Sequence, residues 1–405
     1  MATTEKNRID EGLFGPGSVA WKVWTFPASA LQGFARAVTI EHLDPDLTAA
    51  VDETGQVIQR TQLRYDRTME YFSAVLFADT PTVIKMSDIL MKVHSRAYGI
   101  NKVTGNEYDS NNPDSQLWIH MTAWHSILYV YEVFGPGRLS RDEENEYWRQ
   151  CAIAAEVQPI RQEDVPRTRG EVQKYFDDWR DKLSASEAAI SNVDHILNGF
   201  ETIEPRLPTI VKKAGRPILR ASIIATYPRW MRPMLGVQQS RAVDTASIAL
   251  WRTFYKAAHN KPDVMMAMVE RISPRAVRYI EPAIRGIKAD SPRTHSPSWA
   301  RERYGDPRTP LEQYRDIRAA RSQGSAETPY QHNHHEPVLE FAEADQSPVS
   351  VCGGLGVGRP SHAGALPNGP SQRTGPVPAR TPRPAGCPSA GGRCAPRPPP
   401  WSGSR

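Results

Sequence analysis

Between Arg64 and Tyr98 lie the residues whose types and spacing could do chemistry. Arg64, Arg67, Thr68 and Tyr71 stand at i, i+3, i+4 and i+7, which places two guanidiniums and two hydroxyls on one side of a helix. The opposite side carries Tyr65, Met69, Phe72 and Leu76, and Val75 continues the arginine face. A helix apolar over so much of its circumference is mostly buried, so its cations need partners: a carboxylate, a propionate or bound oxygen species. Asp79-Thr80-Pro81 ends that helix and starts another, with Thr80 as the cap and Pro81 at the first helical position. In the second helix Val83, Leu90, His94 and Tyr98 share a face whose other polar member is Ser87. His94 therefore faces the core and must have a partner, either a hydrogen-bonding group or a ligand.

The other candidates have ordinary explanations beside their functional ones. His120 and His125 are five residues apart, about 140° around a helix, so they do not form the i, i+4 pair that chelates zinc. Either could face His94 from a neighbouring helix, although packing beside Trp118 and Trp124 explains both. Glu41-His42, at the end of a helix, could supply an acid or base, or could simply be solvated. The tract Gln331-His332-Asn333-His334-His335-Glu336 has metal-binding residue types but no fixed geometry around it.

The elements that must position these residues read as helices. Ser18 caps a short amphipathic segment after Phe14-Gly15-Pro16-Gly17, and Pro27–Leu43 continues as a helix stopped near Asp44-Pro45. Asp46–Val51 is one more helical turn. Gly99–Pro113 reads as a loop by its Gly, Asn and Asp content. Asp114 then caps a long apolar helix, Gln116–Phe134, with Leu117, His120, Trp124, Ile127 and Tyr131 in one stripe. Ser140 and Glu143 form a capping box for a helix through Val157. Thr168-Arg169-Gly170-Glu171 opens the helix holding Val172, Tyr175, Phe176 and Trp179. Helices at 186–199 and 241–259 flank a proline-punctuated region. No alternating strand run, phosphate loop or repeat is found, so the fold is expected to be all-α, a single multi-helix domain over 13–290 after a flexible 1–12.

Composition narrows the function classes. The chain has 405 residues, a formal charge of +5 and 39% hydrophobic residues with ten Trp, enough for a sizeable core. After Asp345 it carries seven Arg but no Lys and no acid, which leaves residues 1–345 with 43 basic and 45 acidic side chains, a net of −2. The basic signature belongs to the tail, and nucleic acid is not the expected partner of the core. Of four cysteines, Cys352, Cys387 and Cys394 lie in that tail and only Cys151 in the helical part, so there is no disulfide framework and no CxxCH haem attachment. The N-terminus lacks a signal-peptide h-region and no apolar run is long enough to cross a bilayer, so a cytoplasmic setting is expected, with any membrane contact peripheral. Residues 291–405 read as a disordered tail, and the Pro, Gly, Ala, Arg and Ser usage of 346–405 resembles an out-of-frame reading of GC-rich DNA.

Several words in order resemble the rubber oxygenase (latex clearing protein) and ER-bound oxygenase catalytic-domain family: FGPGSVAWKV at 14–23, EHLDP at 41–45, RxxRT at 64–68, VLFADT at 75–80, Val93-His94, LWIHMTAWHS at 117–126 and FGPGRLS at 134–140. The resemblance is to the bacterial non-rubber branch, formerly catalogued as a domain of unknown function. It implies a globin-like helical core and, as in the rubber-cleaving members, a b-type haem that adds dioxygen across a carbon–carbon double bond. His94 matches the haem-ligating position, and Arg64, Arg67 and Thr68 match the distal basic-x-x-basic-Thr motif; Tyr71 and His120 are assigned with Arg64 as cofactor contacts. Where rubber oxygenases carry a distal lysine able to reach iron, this chain has Arg67, which stays protonated and is a poor ligand. The substrate implied is small, apolar and unsaturated, of isoprenoid or lipid type. Two other readings stand beside this one. The first is a non-haem iron site built from His94, His120 or His125 and Asp79, which lacks a recognisable two-His, one-carboxylate spacing; the second is a non-catalytic helical binding protein.

Overall fold

A computed structural model describes residues 8–53, 56–101, 104–199 and 209–323. The histidine-rich tract at 331–336, the three tail cysteines and the whole of 346–405 lie outside the described residues.

The architecture is helical, as the periodicity predicts, with one short β-ribbon. Ser18 caps α1 (Val19–Trp24), its hydroxyl accepting from the Trp21 amide. The single helix expected over Pro27–Leu43 is instead a π-turn, Ser29–Gly33, feeding α2 (Phe34–Glu41). Gly33 explains the tight passage: a Cβ there would stand 2.8 Å from both Ile127 Cδ1 and Val130 Cγ2. Then come α3 (Pro45–Glu53), α4 (Gln56–Phe77), α5 (Thr80–His94) and α6 (Pro113–Phe134). Further along are α7 (Arg141–Ala155), α8 (Arg169–Trp179), α9 (Glu187–Asn198), α10 (Thr209–Ala225) and α11 (Arg241–Ala258). The domain closes with α12 (Pro262–Ile272), α13 (Val277–Arg285), α14 (Pro297–Tyr304) and α15 (Pro310–Ser322).

The centre of the core is α6. Trp118, Met121, Trp124, Ile127 and Val130 are all buried, and they point to different sides of the helix, so α6 is enclosed rather than amphipathic. It packs on α2, α7 and α11, while α4 packs on α5 and α13. The capping box of Ser140 and Glu143 is present at α7, and Thr168 caps α8 through the Glu171 amide. No helix among the described residues is long and apolar enough to cross a membrane.

Four sequence expectations are corrected. The cap of α5 is Asp79, which accepts from the Thr82 amide; Thr80 is the first helical residue, and its hydroxyl donates to Asp10. The cap of α6 is Asn112, with Pro113 at the helix start and Asp114 in the first turn. The expected loop at 99–113 contains β1 (Tyr98–Ile100) and β2 (Glu107–Asp109), paired antiparallel with Gly99 opposite Tyr108. The core also extends past 290 and begins before 13. Helices α14 and α15 pack on α5, burying Ala300, Arg301 and Tyr314, and residues 8–12 pair with the chain near 290 through Ser291 N to Ile9 O and Glu11 N to Arg293 O.

Candidate functional site

His94 is the last residue of α5, and the chain that follows it folds back to hold its ring. The β-ribbon returns the backbone so that the Ser110 amide donates to Ala97 O, and the Asn111 side chain donates to Met91 O. The Ser110 carbonyl is thereby fixed beside the imidazole, to which it offers a hydrogen bond. From the first turn of α6, Gln116 Nε2 donates to Ser110 O at 2.6 Å and lies 3.3 Å from His94 Nδ1. The Nδ1 edge thus faces protein. Gln116 Nε2 can only donate, so at that contact Nδ1 accepts and the proton of the neutral ring is on Nε2. Moved to Nδ1, where the Ser110 carbonyl can hold it, the proton would leave Nε2 with its lone pair, the form in which imidazole binds a metal. Burial first, and then the Arg64 charge, pull the His94 pKa down to about 4, so the ring is neutral at pH 7.

Arg64 acts on more than His94. Its charge also reaches Glu41 and His42, at the C-terminal end of α2. Glu41 is 8% exposed, and burial pushes its carboxyl up to about 8, against the opposing pull of Arg64. His42 Nδ1 donates to the Val38 carbonyl at 2.6 Å, which turns Nε2 away as an acceptor; that atom is buried and has no hydrogen-bond partner. Burial holds the His42 pKa down to about 4. The ends of α2 and α5 and the middle of α4 therefore gather two neutral imidazoles and a neutral carboxyl around one guanidinium. Burial lowers the Arg64 pKa, and Glu41 opposes that shift, but near neutral pH the carboxyl supplies little compensating charge. Among the described residues, the cluster offers the guanidinium no fully ionised acid, and an anionic or strongly dipolar group would complete it.

The remaining motif residues are distributed. Thr68 Oγ1 donates back to the Arg64 carbonyl at 2.9 Å, and Arg67 and Thr68 are half-buried on the same face. Tyr71 is buried one turn further on, but its recorded contacts run elsewhere: the hydroxyl donates to Val157 O at 3.5 Å and feels the charge of Arg301. Ser87 donates to that same carbonyl and accepts from Arg301. His120 is fully enclosed with both ring nitrogens engaged, Nε2 donating to Cys151 O and Nδ1 accepting from Gln158 Nε2. His125 Nδ1 sits 3.4 Å from Arg36, and its ring packs on Phe176. Asp79 is occupied as a cap. Among the described residues no three His, Cys, Asp or Glu side chains come together as a metal cluster.

An apolar cleft lies across α4 from this cluster. It is lined by Trp24, Phe26, Met69, Ile127, Met265 and Ile280, and Met69 stands about 140° around the helix from Arg64. The same helix thus presents cations to one side and an apolar wall to the other.

Comparison with known proteins bears on what such a domain does. The family described as "ER-bound oxygenase mpaB/B'/Rubber oxygenase, catalytic domain" matches residues 21–260, more than half of the chain. The chain belongs to that family. No curated protein and no solved structure matches it significantly. The oxygenase-domain match takes in Glu41, His42, Arg64, Arg67, Thr68, His94 and Gln116, and stops before Arg301. Two residues of the oxygenase domain's cluster, Ser110 and Gln116, carry no distinctive sequence signal: one is a loop serine holding with its carbonyl, the other a polar residue in the first turn of an apolar helix.

Proposed function

We propose that this chain is an iron-dependent oxygenase, with haem b as the cofactor, acting on a small apolar unsaturated substrate of isoprenoid or lipid type. The observation that carries the reading is the Glu41–His42–Arg64–His94 cluster: a neutral imidazole held on its Nδ1 edge, beside a guanidinium whose charge partner Glu41 is largely protonated. These residues fit a ferric or ferrous haem. His94 Nε2 would hold the metal, Arg64 would pair with an anionic substituent or with negative charge that develops on oxygen, and the unpartnered His42 Nε2 is an acceptor in the same region. When bound, the haem would supply activation of dioxygen.

The chain's own contribution is orientation and charge. Gln116 and the Ser110 carbonyl fix the His94 ring so that it need not reorganise. Arg64 and Arg67 remain cations throughout, so they can donate hydrogen bonds and stabilise negative charge but do not relay protons. Glu41 can. With its pKa pushed up to about 8 it carries a proton near neutral pH and can release it within the operating range, as a general acid needs to. Tyr71 and His120 support the surrounding helices through their bonds to α7 and the turn after it, and the proposal gives neither a cofactor contact.

The test is dioxygen uptake by the full chain expressed with haem supplementation, using a polyisoprenoid and an unsaturated lipid as substrates. Carbonyl products formed with stoichiometric oxygen consumption support the proposal. Absence of uptake by a haem-loaded protein with either substrate class would remove the substrate assignment.

A further inference from the structure

The described surface is unevenly built, and the unevenness is concentrated on α10 and α11. Residues 209–261 contain ten Lys and Arg but a single acid, Asp244. That acid is buried and engaged by Arg229, Arg232 and Gln239, Arg220 pairs with Asp194, and Arg252 donates to the Val133 carbonyl, while Lys213, Arg241, Lys256 and Lys261 stand exposed on the surface. The same two helices carry exposed large apolar side chains. On α11, Val243, Ala246, Leu250, Phe254 and Ala257 fall at i, i+3, i+7, i+11 and i+14, one continuous outward stripe, with Leu250 55% exposed. The inward face, Asp244, Ile248, Trp251, Tyr255 and Ala258, already packs on the domain, so the outer stripe is not a misplaced core. On α10, Ile210, Ala214, Pro217 and Ile218 repeat the pattern, with Ile210 79% exposed and Lys213 beside them. The two helices pack on each other.

We infer that the α10–α11 pair is a docking surface for an anionic lipid bilayer, with the apolar stripes entering the headgroup boundary and the cations pairing with lipid phosphates. Apolar side chains at helical spacing beside exposed cations, here Lys213, Arg241, Lys256 and Lys261, are the composition of interfacial helices, which combine buried apolar area with attraction to anionic lipid. Charge decides against a second copy and against the arginine-rich residues 346–405; the acidic stretch from Glu327 to Asp345 is the rival that the experiment separates. A two-fold contact between copies would set this cation-rich face against itself, and residues 346–405 bring seven more Arg and no acid. The inference stands on these helices alone and is independent of the cofactor reading.

The experiment is co-sedimentation of the full chain with phosphatidylcholine vesicles, with and without phosphatidylglycerol. Binding is expected to be at least about tenfold stronger to the anionic vesicles and to weaken as salt is raised. Leu250→Asp with Phe254→Asp should reduce it about tenfold or more, as should Lys213→Glu with Arg241→Glu; both pairs are exposed, so unchanged circular dichroism is expected. Equal pelleting with both vesicle types, or pelleting unaffected by either pair, overturns the inference. Absence of pelleting together with a dimer that Leu250→Asp dissociates reassigns the face to a second copy. Pelleting that appears only after Glu336, Glu340 and Glu343 are replaced by Gln reassigns it to the chain's own acidic segment.

Discussion

Arg64 and Glu41 form the electrostatic centre of the candidate site: the guanidinium opposes, but does not overcome, the burial that pushes the Glu41 carboxyl up to about 8. A stronger pair would have kept the carboxylate ionised and closed the cluster on itself. Because Glu41 is mostly protonated at neutral pH, the positive charge of Arg64 remains available to a ligand.

This relationship gives a pH signature. Glu41 binds its proton more tightly folded than unfolded, so its contribution to stability is present at low pH and is lost as pH rises through about 8. His42 and His94, held down to about 4, contribute with the opposite sign: their stability is present above the ordinary histidine range and is lost as pH falls toward 4. Glu41→Gln should therefore remove the alkaline loss and leave the acid loss. Thermal unfolding followed from about pH 4 to about pH 9 checks this, and parallel curves for the two proteins would contradict it.

Arg67 tests a different part of the site. Arg67→Ala should retain the cofactor, since His94 and its Gln116 and Ser110 supports are untouched, and should slow reaction with dioxygen by about tenfold or more through loss of a charged donor. Stopped-flow mixing of the reduced protein with dioxygen measures it. An unchanged rate would remove Arg67 from the mechanism.

His120 should behave as a structural residue. His120→Ala leaves the Cys151 carbonyl and the Gln158 amide without their partner in a fully buried place, a loss of about 2–4 kcal/mol by chemical denaturation. The folded fraction should keep its cofactor spectrum.

Arg301 reports on the boundary of the domain. It is 2% exposed and ties α14 to α5 through Ser87 and Asp88, so Arg301→Ala should destabilise the chain by about 2–3 kcal/mol. A change near zero would mean that α14 is dispensable.

How far the sequence could be read depended on what each signal rests on. The helical period of α6, though not its enclosure on every side, and the capping box at Ser140 and Glu143 are local, and they were legible. The caps of α5 and α6 were displaced by one or two residues because Asp79 and Thr80, or Asn112 and Asp114, are all cap-forming types, and backbone geometry selects among them. The β-ribbon was missed because strands of three residues show no alternation. Helices α14 and α15 were missed because they bury little beyond Ala300, Arg301 and Tyr314, a pattern that reads as a polar tail. At the site, the spacing placed Arg64, Arg67 and Thr68 on one face and turned His94 inward. It gave Glu41 and His42 only an ambiguous helix end and did not single out Gln116, since their relation to His94 exists only once α2, α5 and α6 are packed.

The most direct test of the central claim is the visible absorption spectrum of the full chain expressed with haem supplementation, compared with His94→Ala and His125→Ala. A Soret band in the wild-type protein that His94→Ala loses and His125→Ala keeps is the predicted result. A Soret band that survives in His94→Ala, or a folded wild-type protein with none, would contradict the assignment of His94 as the residue that holds the haem.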